Sequence, residues 1–119
     1  MRKFYFERLD VWQNSREFVK RIYEITNSFP EEEKYGLTSQ VRRASLSISA
    51  NISEGSARSS NKDKARFINL SFSSAIEVLN FLILSNDLGF IDKHKFEELR
   101  LALEKITNQL NSFHNTLTK

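Results

Sequence analysis

The chain has no cysteine, which excludes disulfides, a thiolate nucleophile and any cysteine-held zinc or iron–sulfur centre. One proline and three glycines leave little turn material for an all-β protein. His94 and His114 are the only histidines, and twenty residues of helix would set them about 30 Å apart, too far to share a metal within one subunit. No glycine-rich phosphate loop, Walker lysine or histidine–glutamate metal motif occurs. Long apolar runs are missing as well. The most apolar stretch, Leu70 to Leu84, is broken by Ser71, Ser73, Ser74, Glu77 and Asn80, and it falls short of the roughly 20 residues needed to span a bilayer. Met1 to Arg8 has a charged start without the apolar run of a signal peptide. These absences predict a non-enzyme with no metal and no cofactor, away from the membrane and in the cytoplasm.

What is present fits one helical domain over residues 1–119. A hydrophobic share of 39% is enough for one core and too much for a disordered tail. The 18 basic and 15 acidic residues leave +3, a bias that permits nucleic-acid contact without requiring it. The first helix is expected over about residues 10–29. Val11, Ser15, Phe18, Ile22, Ile25 and Phe29 recur at steps of three and four, with Asp10 as N-cap and Pro30 as the stop. The last helix, about 92–118, shows the most regular seam: Phe96, Leu99, Leu103, Ile106, Leu110, Phe113 and Leu117. Asp92 is placed to cap it.

The second helix, about 37–55, carries two patterns at once. Ser45, Ser47, Ser49, Asn51 and Ser53 alternate with Leu46, Ile48, Ala50 and Ile52, the period of a strand. Leu37, Val41, Ala44, Ile48 and Ile52 keep helical spacing, and a lone strand would have no partner for its backbone groups. The helix is therefore expected, with Gly55 as its left-handed C-terminal residue. The third helix, about 61–88, starts at Asn61 as N-cap and ends at Gly89, with Phe90 closing the end. Its apolar residues lie all round: Ile68, Ala75, Val78 and Leu82 on one stripe, Phe72, Ile76, Leu79 and Ile83 on a second, Phe67, Leu70, Phe81 and Leu84 on part of a third. A helix apolar on most sides needs a further cover. Self-association supplies one, with Phe72, Ile76, Leu79 and Ile83 as interface residues. Folding Phe4, Tyr5 and Phe6 back over the extra stripe would supply another.

The string Phe6-Glu7-x-Leu9-x-Val11-Trp12-Gln13 is followed by Phe29-Pro30 and Tyr35-Gly36-Leu37-x-Ser39-Gln40-x-Arg42-Arg43-Ala44. Then comes Ser47-Ile48-x-x-Asn51-Ile52-x-Glu54-Gly55-x-x-Arg58. From about Phe6 to the last helix, this order resembles the four-helix-bundle family encoded in intervening sequences of bacterial 23S ribosomal RNA genes. The resemblance implies an all-α, antiparallel up-down four-helix bundle assembling as a ring-like homopentamer. A related branch, the accessory variability protein of diversity-generating retroelements, is a basic pentamer that binds nucleic acid and a reverse transcriptase. Ser49 stands where proline is common, Ser73 where glycine is common, and Phe72 where a basic residue is frequent. The last departure weakens any transfer of nucleic-acid binding and leaves the fold untouched.

Two polar sets are candidate sites. Arg58, Lys62, Lys64 and Arg66, opposed only by Asp63, give +3 within nine residues, equal to the net charge of the whole chain. Such a cluster can neutralise phosphates irrespective of sequence, or simply keep a helix start solvated. Gln40, Arg42, Arg43, Ser47, Asn51 and Glu54 are candidates for hydrogen bonds between helices or between subunits, since the arginines lie about three turns from Glu54 and cannot pair with it in one chain. The expected function is a non-catalytic scaffold or weak sequence-independent binder of RNA or DNA. The alternative is a protein-interaction adaptor for a reverse transcriptase or another protein.

Overall fold

Hydroxyl groups decide the one segment whose pattern allows both strand and helix. In the computed structural model, which describes all residues 1–119, the serines of this segment bond to carbonyls of their own helix. Ser45 Oγ donates to the Arg42 carbonyl at 2.9 Å, Ser49 to Leu46 at 3.0 Å and Ser53 to Ala50 at 2.9 Å. A hydroxyl satisfied one turn back tolerates a helical position, even a buried one such as Ser45. The fold is all-α, with four helices and no strand: α1 (Asp10–Thr26), α2 (Leu37–Ser56), α3 (Asn61–Asp87) and α4 (Lys93–Leu117). Single 3-10 turns occur at Tyr5–Arg8 and Glu31–Glu33. At 1.5 Å per residue, α3 is about 40 Å long and accounts for most of the 43 Å long axis.

All four helices contribute to one core. Phe18 and Ile22 come from α1, Val41, Ile48 and Ile52 from α2, Ile68, Val78 and Leu82 from α3, and Leu99, Leu103, Ile106 and Leu110 from α4. The seam of α4 is buried at its four central positions, while Phe96, Phe113 and Leu117 are packed at its margins. Asn14 meets Gln109 at 2.9 Å and Arg21 meets Glu98 at 3.6 Å. The start of α1 therefore lies beside the end of α4, and the last turns of α1 beside the first turns of α4. At the latter end Phe29 packs on Phe90 with ring centroids 5.6 Å apart.

Several helix ends differ from the sequence expectation. Leu9, not Asp10, caps α1; Asp10 is its first residue, where a carboxylate still faces the positive end of the helix dipole. Ser60, not Asn61, caps α3, its side chain accepting from Asp63 N at 3.1 Å. Asp92 caps α4 as expected, accepting from Lys95 N at 2.8 Å. α1 ends at Thr26 rather than Phe29, because Ser28 and Phe29 tighten onto the carbonyls of Ile25 and Thr26 ahead of Pro30. Gly89 has φ of 77°, and Phe90 N reaches the Ser85 carbonyl at 2.9 Å while Gly89 N reaches Asn86. That is the expected left-handed closure of α3.

Gly55 is not a left-handed terminator. Gly89 is the only glycine with positive φ, and Gly55 sits buried inside α2. A β-carbon there would lie 2.7 Å from Cβ of Phe67 and 3.4 Å from the Lys64 carbonyl. The glycine lets α2 and α3 approach closely. Small residues continue that contact: Ser71 Oγ donates to the Ile48 carbonyl at 2.8 Å, and Ser74 Oγ to Ser47 Oγ at 3.0 Å. No buried side-chain nitrogen or oxygen lacks a partner.

The apolar excess of α3 remains uncovered. Phe72 and Leu79 are half-buried against the core, but Ile76 is 48% exposed and Ile83, Leu70 and Leu84 are exposed as well. The N-terminal aromatics do not cover it: Phe4 and Tyr5 are exposed, and Phe6 turns edge-on to Trp12 at 4.9 Å. By length and composition α3 is apolar enough to cross a membrane. It packs instead along α2 and α4, whose outer faces carry Arg43, Glu54, Arg100, Glu104 and Lys105.

The Gly55 contact makes a testable statement about stability. Glycine to alanine inside a helix normally gains about 0.5–1 kcal/mol. Gly55→Ala should instead lose about 1–3 kcal/mol, the range for overpacking a core. Chemical denaturation measures the difference, and an unchanged or higher midpoint would show that α2 and α3 can part without cost.

Candidate nucleic-acid interface

The basic candidates sit on the loop from α2 to α3 and on the first turns of α3. Two of them are already engaged. Arg66 pairs with Asp63 Oδ1 at 3.0 Å, and Arg58 Nε lies 3.8 Å from Asp63 Oδ2. Both guanidinium groups also stack on the Phe67 ring, with Cζ 4.4 Å and 4.5 Å from its centroid. One carboxylate and one aromatic ring thus order two arginines, each of which keeps an exposed edge. Lys62 and Lys64 make no ion pair. Two residues apart on a helix, they project about 200° from one another, so the four cations do not form one flat patch. Lys62 and Arg66 face one way, and Lys64 faces the other flank.

Lys62 and Arg66 line an open groove of about 680 Å³ between the start of α3 and the end of α4, shared with Ser60, Asp63, Asn69, His114 and Lys119. His114 and Lys119 are absent from the sequence candidates. Their signal is topological rather than local: the last turn of α4 reaches the first turn of α3 only once the helix order in space is known. A second cationic cleft, of about 430 Å³, lies at the N-terminal turn and is lined by Arg2, Lys3, Phe4, Tyr5 and Arg8. Its signal was in the sequence, as cations and aromatics interleaved over the first eight residues.

The polar stripe of α2 divides in two. Arg42 is spent within the chain: Nε donates to Thr26 Oγ1 at 2.7 Å, and Nη2 donates to the Tyr23 carbonyl at 3.4 Å and to Asn27 Oδ1 at 3.2 Å. Its guanidinium also stacks over the Tyr23 ring at 4.6 Å. Arg42 therefore closes the C-terminal end of α1, where unpaired carbonyls favour a cation. Asn51 Nδ2 donates back to the Ser47 carbonyl at 2.9 Å and to its Oγ at 3.1 Å, and Ser47 also joins Ser74 of α3. Gln40, Arg43 and Glu54 are exposed, and the two charges form no ion pair. His94 lies against Glu98, with Nε2 2.7 Å from Oε1, on the exposed face of α4.

The two neighbouring arginines should respond differently to truncation. Arg42→Ala should lower stability by about 1–2 kcal/mol, the range for losing charge-assisted hydrogen bonds at a partly exposed site. Arg43→Ala should stay within about 0.5 kcal/mol. Equal losses in thermal or chemical unfolding would contradict the assignment of Arg42 to the end of α1.

Among solved structures, the chain is similar to a protein of unknown function from the S23 ribosomal protein family of Bacteroides thetaiotaomicron. The two are 27% identical, the match covers 86% of this chain and 95% of that one, and the TM-score is 0.78. No curated protein matches. The family model described as 23S rRNA-intervening sequence protein matches residues 7–112, from the N-terminal turn through most of α4. That span is most of the chain, and the chain belongs to the 23S rRNA-intervening sequence protein family.

Proposed function

We propose that this chain is a non-catalytic cytoplasmic subunit of a homo-oligomer, acting as a scaffold and as a sequence-independent binder of RNA or DNA. The observation that carries the reading is the separation of charge along the long axis. Arg58, Lys62, Lys64 and Arg66 share one end with Arg2, Lys3 and Arg8, because the start of α1, the end of α4 and the start of α3 meet there. The opposite end is mixed and tends to negative: Glu31, Glu32, Glu33, Asp87 and Asp92 in its two connections outnumber Lys34, Lys93 and Lys95 beside them. A chain of net charge only +3 thereby presents a concentrated positive field at one end, suited to phosphate contact with counterion release.

The finer architecture follows from the same contacts. Asn14 with Gln109, Arg21 with Glu98 and Arg42 with Thr26 support an up-down bundle of antiparallel neighbours. Exposed Ile76 and Ile83, one turn pair apart on α3, support association between copies. In a ring-like homopentamer the basic ends would point the same way, and five weak phosphate contacts would act together. The charged outer faces of α2 and α4 on either side of α3 favour a second copy over lipid as its cover.

Two measurements test this. Light scattering at micromolar concentration should give a multiple of the 13.9 kDa chain mass, and Ile76→Asp/Ile83→Asp should shift the mass to 13.9 kDa with helicity retained, since both side chains are exposed within one chain. A monomer before substitution would end the assembly reading. Titration with RNA and duplex DNA should show affinity falling steeply between about 50 and 200 mM salt, and Lys62→Ala/Lys64→Ala should weaken both and flatten the slope. Absence of binding at low salt would favour the adaptor for a reverse transcriptase or another protein.

A further inference from the structure

We propose that the N-terminal turn is a stacking platform for single-stranded nucleic acid, an inference that rests on the nucleic-acid-binding reading and names its preferred ligand. The cleft lined by Arg2, Lys3, Phe4, Tyr5 and Arg8 contains three cations, two aromatic rings and no carboxylate. Phe4 is 67% and Tyr5 58% exposed, although the same short turn buries part of Phe6 against Trp12. Glu7, the only acidic residue among the first nine, is half-buried outside the cleft, and its carbonyl accepts from Gln13 Nε2 at 2.7 Å.

The turn is held in place rather than trailing in solvent. Phe6 meets Trp12 edge-on, Phe4 meets Phe6 edge-on at 6.5 Å, and the Leu9 and Glu7 amides donate to the Phe6 and Phe4 carbonyls at 3.0 and 3.1 Å. Two ring faces are thus presented between cations on an ordered base. Bases stack on exposed aromatic faces when they are unpaired, and flanking cations track the phosphates. A duplex hides its base faces and can use only the cations. An interfacial membrane anchor would need an amphipathic helix with a broad apolar face; a four-residue turn does not offer one. The turn leads directly into α1, whose start lies at the end of the molecule that holds Lys62 and Arg66. A strand stacked on Phe4 and Tyr5 can therefore continue toward those cations.

Fluorescence anisotropy on the full chain, without residues added at the N-terminus, tests the proposal with a labelled single-stranded RNA and a duplex of equal length. The single strand should bind more tightly, and Phe4→Ala/Tyr5→Ala should weaken it at least about fivefold. Duplex affinity, helicity and mass should not change, and Phe4→Tyr/Tyr5→Phe should retain single-strand affinity. Equal binding of both ligands, insensitive to the alanine variant, overturns the platform and leaves phosphate binding standing. Binding of neither ligand overturns both. If the alanine variant loses affinity for phosphatidylcholine–phosphatidylserine vesicles while single-strand affinity is unchanged, the turn serves a lipid surface and the proposal fails.

Discussion

The rest of the structure depends on how closely α2 and α3 approach. A serine hydroxyl reaches a carbonyl of the facing helix, Ser71 to Ile48 at 2.8 Å, only when both helices present small side chains at the crossing. Gly55 under Phe67, with Ala44 on the same side of α2 and Ala75 one turn beyond Ser71 on α3, all buried, meets that requirement along the seam. Close packing of this kind fixes the rotation of α3 about its axis, because overpacked alternatives cost about 1–3 kcal/mol. Ile68, Val78 and Leu82 then must face inward, and Ile76, Ile83, Leu70 and Leu84 must face out. The exposed apolar face is a geometric consequence of the seam, not slack in the fold.

Much of this arrangement was legible in the residues. Steps of three and four located all four helices, and the uninterrupted seam of α4 named the side chains that are buried. Period alone could not separate strand from helix in α2, since serine at alternate positions suits either; the hydroxyl bonds to carbonyls three residues back resolve it. Gly55 was misread because glycine near a helix end serves two purposes, and only the position of Phe67 tells them apart. Arg42 and Arg43 are alike in sequence, yet adjacent helical residues point about 100° apart, so one closes α1 and the other faces solvent. The N-capping residues at α1 and α3 lay one position earlier than the pattern implied, since composition marks a helix start less sharply than its hydrogen bonds do.

The candidate site was legible in part for a related reason. A cluster contiguous in sequence, Arg58 to Arg66, is visible without a structure. Its division by Asp63 and Phe67 is not, nor is its meeting with the end of α4. Sequence proximity overstated the patch locally and missed its extension across the fold. Lys62 and Lys64 lie on different flanks, whereas Arg2, Lys3 and Arg8 belong to the same end as Lys62 despite lying more than fifty residues away.

Fold stability gives no reason for lysines at the start of α3. The first turns of a helix carry partial positive charge, and a cation there costs about 0.3–1 kcal/mol at low salt. Asp63 and the Phe67 ring offset that cost for Arg58 and Arg66, but Lys62 and Lys64 have neither a carboxylate nor a ring. At the opposite end the first turn of α4 is equally cationic, Lys93, His94 and Lys95 following the Asp92 cap with no acid among them, but there Lys93 pairs with Glu97 at 4.0 Å. Cations at a helix start are therefore common to both ends, and Lys62 and Lys64 differ from Lys93 in having no carboxylate partner. A polyanion brought to Lys62 and Lys64 would supply the opposite charge that the chain itself does not, and on the proposed reading that is what these lysines are placed to accept.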